Sequence, residues 1–160
     1  MNVIFESKRI NFVEISEDLI KEYLTMINDI ENVEIFIGGY HNPYTEEQEL
    51  KWVREKLNEK PNIYSLIEKE TGEFIGNIEY MNLKDGAAEL GIALTAKKQN
   101  QGFGTEAILA LLKYGKETLG LKRVYLRTNL NNFRAIHVYE KCGFKEYDVK
   151  EDHRCMEVYL

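Results

Sequence analysis

Gln99-Asn100-Gln101-Gly102-Phe103-Gly104-Thr105 is the stretch on which the reading of this chain turns. It follows Ala87–Leu94, an apolar run that reads as a strand. It opens Gly102–Leu119, where Ile108, Leu111, Leu112 and Gly115 share one helical stripe. A strand ending in a glycine-rich turn at a helix N-terminus aims several unpaired N–H groups one way, and the helix dipole adds positive potential there. Such a turn suits a phosphate or pyrophosphate. The same glycines also suit a purely structural helix start. No Gly-Lys-Ser/Thr follows, so this is not a P-loop. One Gly-x-Gly after a strand that reads as fourth in order is not a dinucleotide fingerprint.

Outward from that turn, the periodicities assign the rest. Lys8–Ile15 alternates like a strand, and Glu17–Asp29 places Leu19, Ile20, Tyr23, Leu24 and Ile27 at helical spacing behind a Ser16 cap. Asn32–Asn42 reads as a short helical turn and then a loop. Thr45-Glu46-Glu47-Gln48 is a capping box opening a helix to about Glu59. Ile63–Glu68, Glu73–Leu83 and Ala87–Leu94 are strands separated by the hairpin turns Thr71-Gly72 and Asp85-Gly86. Beyond the long helix come a strand Arg123–Thr128, a helix Asn132–Cys142 and closing strands Phe144–Val149 and Cys155–Leu160. The order predicts a mixed α/β (α+β) sheet with helices packed on it, in one domain over residues 1–160.

Composition narrows the function classes. With 44% hydrophobic and 30% charged residues the chain is an ordinary globular one. Two cysteines, Cys142 and Cys155, make neither a secreted disulfide framework nor a four-ligand zinc site, and the three histidines lack metal-ligand spacing. No basic–apolar leader and no 18-residue apolar run occurs, so a cytoplasmic location without membrane contact is expected. The net charge of −6 argues against nucleic acid as a partner. That charge is uneven: residues 1–70 carry net −7 and residues 71–160 net +1, with ten acids and one base between Ile10 and Leu50. Such a run is either a solvated helical face or an acidic approach for a cationic ligand.

Two motifs then resemble a known family. Gln99-x-x-Gly102-x-Gly104 is similar to the (Gln/Arg)-x-x-Gly-x-(Gly/Ala) signature of the GNAT superfamily of acetyl-CoA-dependent N-acetyltransferases. Asn132-Phe-Arg-Ala135-Ile-His-Val-Tyr139-Glu-Lys-Cys-Gly143-Phe144 is similar to its second signature, Asn-x-x-Ala-x-x-x-Tyr-x-x-x-Gly-Phe. The element order matches as well, over nearly the whole chain. The nearest resemblance is to the branch of ribosomal-protein N-acetyltransferases and spermidine acetyltransferases. The resemblance implies a GNAT fold: one mostly antiparallel sheet of six to seven strands, splayed at the central strand, with about four helices.

By the same resemblance, Ile92, Ala93 and Leu94 would lie on a β-bulged strand whose free backbone groups bind the pantetheine arm. Gln99, Asn100, Gln101, Gly102, Phe103, Gly104 and Thr105 would hold the pyrophosphate. Asn132 would hydrogen-bond the arm near its thiol, and Ala135, on the same helical face, would leave room for the thioester. Tyr139 would be the general acid that protonates the departing thiolate. An alkylammonium acceptor has a pKa near ~10.4 and must lose a proton before it attacks. Glu89 is the first candidate for that base and Glu79 the second. Glu34, Tyr40, Tyr44 and Glu79 are expected on the acceptor side, where a polyamine, another small cationic amine or a peptide N-terminus would enter. No metal is expected, and a homodimer is compatible with the family. The rival reading is a non-catalytic acyl-CoA-binding sensor or partner module on the same fold. Each of these residues has a plainer alternative: Tyr139 and Trp52 as core, Cys142 as a small buried apolar residue, Lys97-Lys98 as a solvated turn.

Overall fold

In a computed structural model of the chain, which describes residues 1–33 and 41–160, eight strands form one sheet in the order β1-β2-β3-β4-β5-β6-β8-β7. The strands are β1 (Val3–Glu6), β2 (Ile10–Glu14), β3 (Asn62–Glu68), β4 (Phe74–Lys84), β5 (Ala87–Leu94), β6 (Arg123–Asn129), β7 (Lys145–Lys150) and β8 (His153–Tyr159). The helices are α1 (Ile20–Ile27), α2 (Glu46–Glu59), α3 (Phe103–Glu117) and α4 (Phe133–Lys141). Local chemistry sets several boundaries. Ser16 accepts from the Asp18 N–H, and both halves of the Thr45–Gln48 capping box form. Asp85 and Gly86 both adopt positive φ, 51° and 78°, the conformation a tight Asp-Gly hairpin between β4 and β5 needs.

Each face of the sheet carries a core. On one, Ile78, Tyr80 and Leu90 pack with Ala107, Ile108 and Leu111 of α3. The Tyr80 hydroxyl donates to the Leu111 carbonyl at 2.8 Å, a buried bond of a kind that contributes about 1 kcal/mol. Only a glycine at 115 lets the tyrosine come so close, because a Cβ there would collide with its hydroxyl. On the other face, Tyr23 and Met26 of α1 and Val53 of α2 cover Ile63 and Phe74.

All neighbouring strands run antiparallel except β5 and β6. Those two pair in parallel through only three positions, Ala87 with Arg123, Ala88 with Val124 and Glu89 with Tyr125. Beyond Glu89 the strands part, and the splay expected of the central strand is there. Two features differ from the sequence reading. The strand count is eight, because β1 pairs with β2; its four residues show little alternation, and packing decides it, with Phe5 stacked on both Phe12 and Tyr114 at 4.2 Å. The bulge lies on β4, not on β5: Asn82 and Leu83 stand against the single residue Ala88, while β5 stays in register with β4 from Glu89 to Leu94. Asn82 takes φ 53°, a left-handed conformation that asparagine tolerates better than most residues other than glycine.

Candidate active site

A cavity of about 430 Å³ fills the gap between the parted strands. One wall is β5 from Glu89 to Leu94, and the opposite wall is Arg127, Thr128 and Asn129 of β6. Gln99, Asn100, Gly102, Gly104 and Thr105 close one end, and Asn132, Ala135, Val138 and Tyr139 of α4 line its side. Ladder bonds from β6 end at the splay, so β5 from Leu90 onward presents an edge with no strand beside it. At its far end the Leu94 carbonyl is occupied, accepting from the Gln99 side-chain amide at 3.0 Å.

The turn before α3 has the shape an anion needs. Asn100 and Gly102 take φ of 62° and 82°, turning the chain sharply into the helix so that its first N–H groups are left without partners in the preceding strand. Gln99 is a knot of the scaffold: its amide also donates to the Asn32 carbonyl, and its oxygen accepts from Arg134 at 2.8 Å. Gln101 and Phe103 are not among the lining residues. The Gln101 side chain caps the Lys97 carbonyl at 2.8 Å, and Phe103 is buried beneath the turn. Lys98 is likewise taken up, its ammonium bonded to Glu68 at 2.7 Å and Glu73 at 2.9 Å. Those two partners hold its pKa above the usual lysine value.

Asn132 caps α4 by accepting from the Ala135 N–H, its backbone N–H donates to the Asn129 carbonyl at 3.0 Å, and its side-chain nitrogen makes no hydrogen bond among the described residues. Tyr139 follows two turns later on the same face, with its ring edge-on to Phe144 at 6.0 Å. Its hydroxyl has no hydrogen-bonding partner among the described residues. Burial, with a smaller contribution from nearby Cys142, pushes its pKa up to about 12, so it carries its proton at neutral pH.

Two carboxylates stand near the mouth in different circumstances. Glu89 is held: Arg127 reaches it at 3.4 Å and the Asn82 amide donates to it at 3.2 Å. Glu79, paired in register with Gly91, is half-buried and has no hydrogen-bonding partner among the described residues. Its carboxyl lies about where a side chain on Gly91 would reach, 3.7 Å from an ideal Cβ there. Burial raises its pKa; Lys56 opposes that and Glu89 adds to it. Unlike Glu89, Glu79 does not line the cleft itself; it lines a neighbouring cavity of about 350 Å³ with Lys56, Asn62 and Leu83, and Met81 is common to both cavities.

Residues 9–145 match the family described as Acetyltransferase (GNAT) domain. The chain belongs to the GNAT acetyltransferase family. Among similar curated proteins is the spermidine N(1)-acetyltransferase of Vibrio cholerae, 27% identical over 132 residues that make up 81% of this chain and 74% of that protein. Among solved structures, a GNAT-family acetyltransferase from Bacillus anthracis superposes with a TM-score of 0.86 at 19% identity, covering 99% of this chain and 98% of that one. The Vibrio cholerae spermidine N-acetyltransferase in complex with CoA and spermine gives 0.76 at 21% identity, covering 96% of each chain.

GNAT enzymes use acetyl-CoA, and this cleft has the donor set for it: an N–H-rich turn for a diphosphate, an open strand edge for a peptide-like arm, and a helix face with a small residue, Ala135, between Asn132 and Tyr139. Among the described residues no group of His, Cys, Asp or Glu is arranged to hold a metal, and no helix is long and apolar enough to cross a membrane. Of the expected acceptor-side residues, Glu34 and Tyr40 lie outside the described residues. Tyr44 is exposed, its backbone clipped to the Asn28 side chain at 2.8 and 3.0 Å and its ring tilted against His41; it does not line the cleft. Arg127, Arg134, Met81 and Asn82 were not anticipated. The parallel register of β5 and β6 and the β4 bulge bring Arg127, Met81 and Asn82 here, and neither is written in a local pattern; the first turn of α4 brings Arg134 against Gln99.

Proposed function

We propose that residues 1–160 work as one GNAT domain that transfers the acetyl group of acetyl-CoA to a primary amine by direct attack in a ternary complex. The observation that carries the reading is the cleft itself, where the open edge of β5, the Gln99–Thr105 turn and Tyr139, whose hydroxyl has no partner among the described residues, converge on one cavity. The backbone from Ile92 to Leu94 would run beside the pantetheine arm as an added strand would. The turn would take the pyrophosphate, with the N–H groups of Gln101 and Phe103 contributing from the backbone, and the side-chain amide of Asn132 would reach the arm near its sulfur.

The amine nitrogen attacks the thioester carbon, and a backbone N–H of β5 stabilises the oxyanion. As the tetrahedral intermediate collapses, the carbon–sulfur bond breaks and Tyr139 donates its proton to the thiolate. Burial raises the basicity of a thiolate in the same dry site, which brings it toward that of the phenol. The acceptor's own proton goes to a carboxylate, directly or through water. Glu79 suits this better than Glu89, because its carboxyl has no hydrogen-bonding partner among the described residues and is held above the usual range, whereas Arg127 and Asn82 occupy Glu89.

The acidic excess of the first 70 residues supports a cationic acceptor, a polyamine or another small amine, or a peptide N-terminus. A cytoplasmic protein that pairs with a second copy completes the proposal. The deciding experiment is thiol release from acetyl-CoA with a panel of spermidine, other small amines and basic peptides. Acetyl-CoA binding without turnover of any of them would favour the sensor reading instead.

A further inference from the structure

Glu106 stands in the first turn of α3, four residues past Gly102. A carboxylate there stabilises the helix dipole, yet it repels any anion that docks on the same N–H groups. Arg9, from the turn between β1 and β2, meets it closely. Its backbone N–H and its Nε donate to the two oxygens of Glu106, each at 2.7 Å, and the Ser7 hydroxyl donates as well. Burial alone would raise the pKa of Glu106, but Ser7 and Arg9 outweigh that and keep it below the usual carboxylate value, and therefore charged.

The same guanidinium also touches the turn. Its Nη1 donates to the Gln101 carbonyl at 3.1 Å, its plane covers the Phe103 ring at 4.2 Å, and its Nη2 would be 3.2 Å from a Cβ on Gly102. The lysine beside the turn, Lys98, is neutralised by Glu68 and Glu73 and supplies no such charge.

We propose that Arg9 is a positioning residue of the acetyl-CoA site that acts through charge, cancelling the carboxylate of Glu106 beneath the pyrophosphate turn so that the turn can accept an anion. The proposal rests on the reading of the cleft as an acetyl-CoA site. Calorimetric titration of CoA into wild type, R9Q, E106Q and R9Q/E106Q, at low and high salt, tests it. R9Q weakens CoA binding and E106Q tightens it, each by about two- to five-fold, the scale of a charge near a helix terminus. The double variant returns to within about two-fold of wild type, and the single-variant effects shrink at high salt as screening predicts. A purely structural arginine would instead leave the double variant as weak as R9Q at every salt concentration, and that result overturns the proposal, as does unchanged affinity in R9Q. Should R9Q fail to fold, E106Q alone decides, with affinity equal to wild type as the negative result. A wild-type protein with no affinity for CoA would overturn the reading of the cleft itself.

Discussion

Arg127 Nε lies 3.4 Å from Glu89 Oε2, joining β6 to β5 just past the point where their ladder ends. Glu89 is the last β5 residue paired with β6, and Arg127 is two residues beyond its partner Tyr125. The ion pair therefore spans the mouth of the splay and acts as a side-chain strut where backbone bonds have stopped. Arg127 is largely exposed, so the pair contributes no more than about 1 kcal/mol. Its geometric effect is larger than its energy, because it sets the spacing of the two cleft walls. R127Q should raise the KM for acetyl-CoA by about two- to five-fold, the range that energy allows. E89Q should do the same, and the double variant should be no worse than either alone in steady-state kinetics.

Glu79 gives a test with a different signature. E79Q should lower kcat by about 10²- to 10⁴-fold, the usual worth of a general base. Burial, moderated by Lys56 and assisted by Glu89, holds the Glu79 carboxyl above its ordinary value, so activity should fall as pH drops through that raised range and it gains a proton. That acid limb should vanish in E79Q and persist in E89Q; the opposite pattern would transfer the role to Glu89.

Tyr139 should separate binding from chemistry. Y139F removes a hydroxyl with no hydrogen bond among the described residues, so CoA affinity measured by calorimetry should stay within about two-fold of wild type. Turnover should fall by about 10²-fold or more. Equal turnover in wild type and Y139F would end its role as the acid.

Glu49 makes a prediction about stability. It is 6% exposed on α2, and burial raises its pKa. An acid whose pKa rises on folding is penalised wherever it must ionise in the folded state. The penalty is absent below the unfolded value, sets in as pH climbs through the raised folded value, and is complete above it. E49Q should therefore melt higher at pH 7, by roughly 2–4 °C if the gain is about 1 kcal/mol. The two proteins should converge near pH 4.

The sequence made the sheet-and-helix order legible because its signals were local: alternation in Lys8–Ile15, the Asp85-Gly86 turn, the Thr45–Gln48 box. Tyr139, Asn132 and the turn at Gln99–Thr105 were readable because each lies in a short contiguous motif that resembles a GNAT signature. What could not be read depends on residues far apart in the chain. Arg9 reaches Glu106 across 97 positions and Arg127 reaches Glu89 across 38. β1 has no local signature because its pairing with β2 and the packing of Phe5 against Phe12, Tyr64 and Tyr114 secure it. The β4 bulge is not legible either, because a left-handed asparagine leaves no periodic trace.

The three-pair ladder between β5 and β6 makes ligand uptake resemble a final step of folding. Strands β1–β5 and β6–β8 form two slabs that share one short backbone seam, and the bound pantetheine arm would lie along the open remainder as the missing neighbour. Hydrogen bonds absent from the empty protein would then appear on loading. The alternate amide hydrogens of Leu90–Leu94 that face the cleft, and not those bonded to β4, should exchange quickly in the free chain and slowly with CoA present, and the melting temperature should climb with CoA concentration. Bound along that edge, the cosubstrate would complete the architecture.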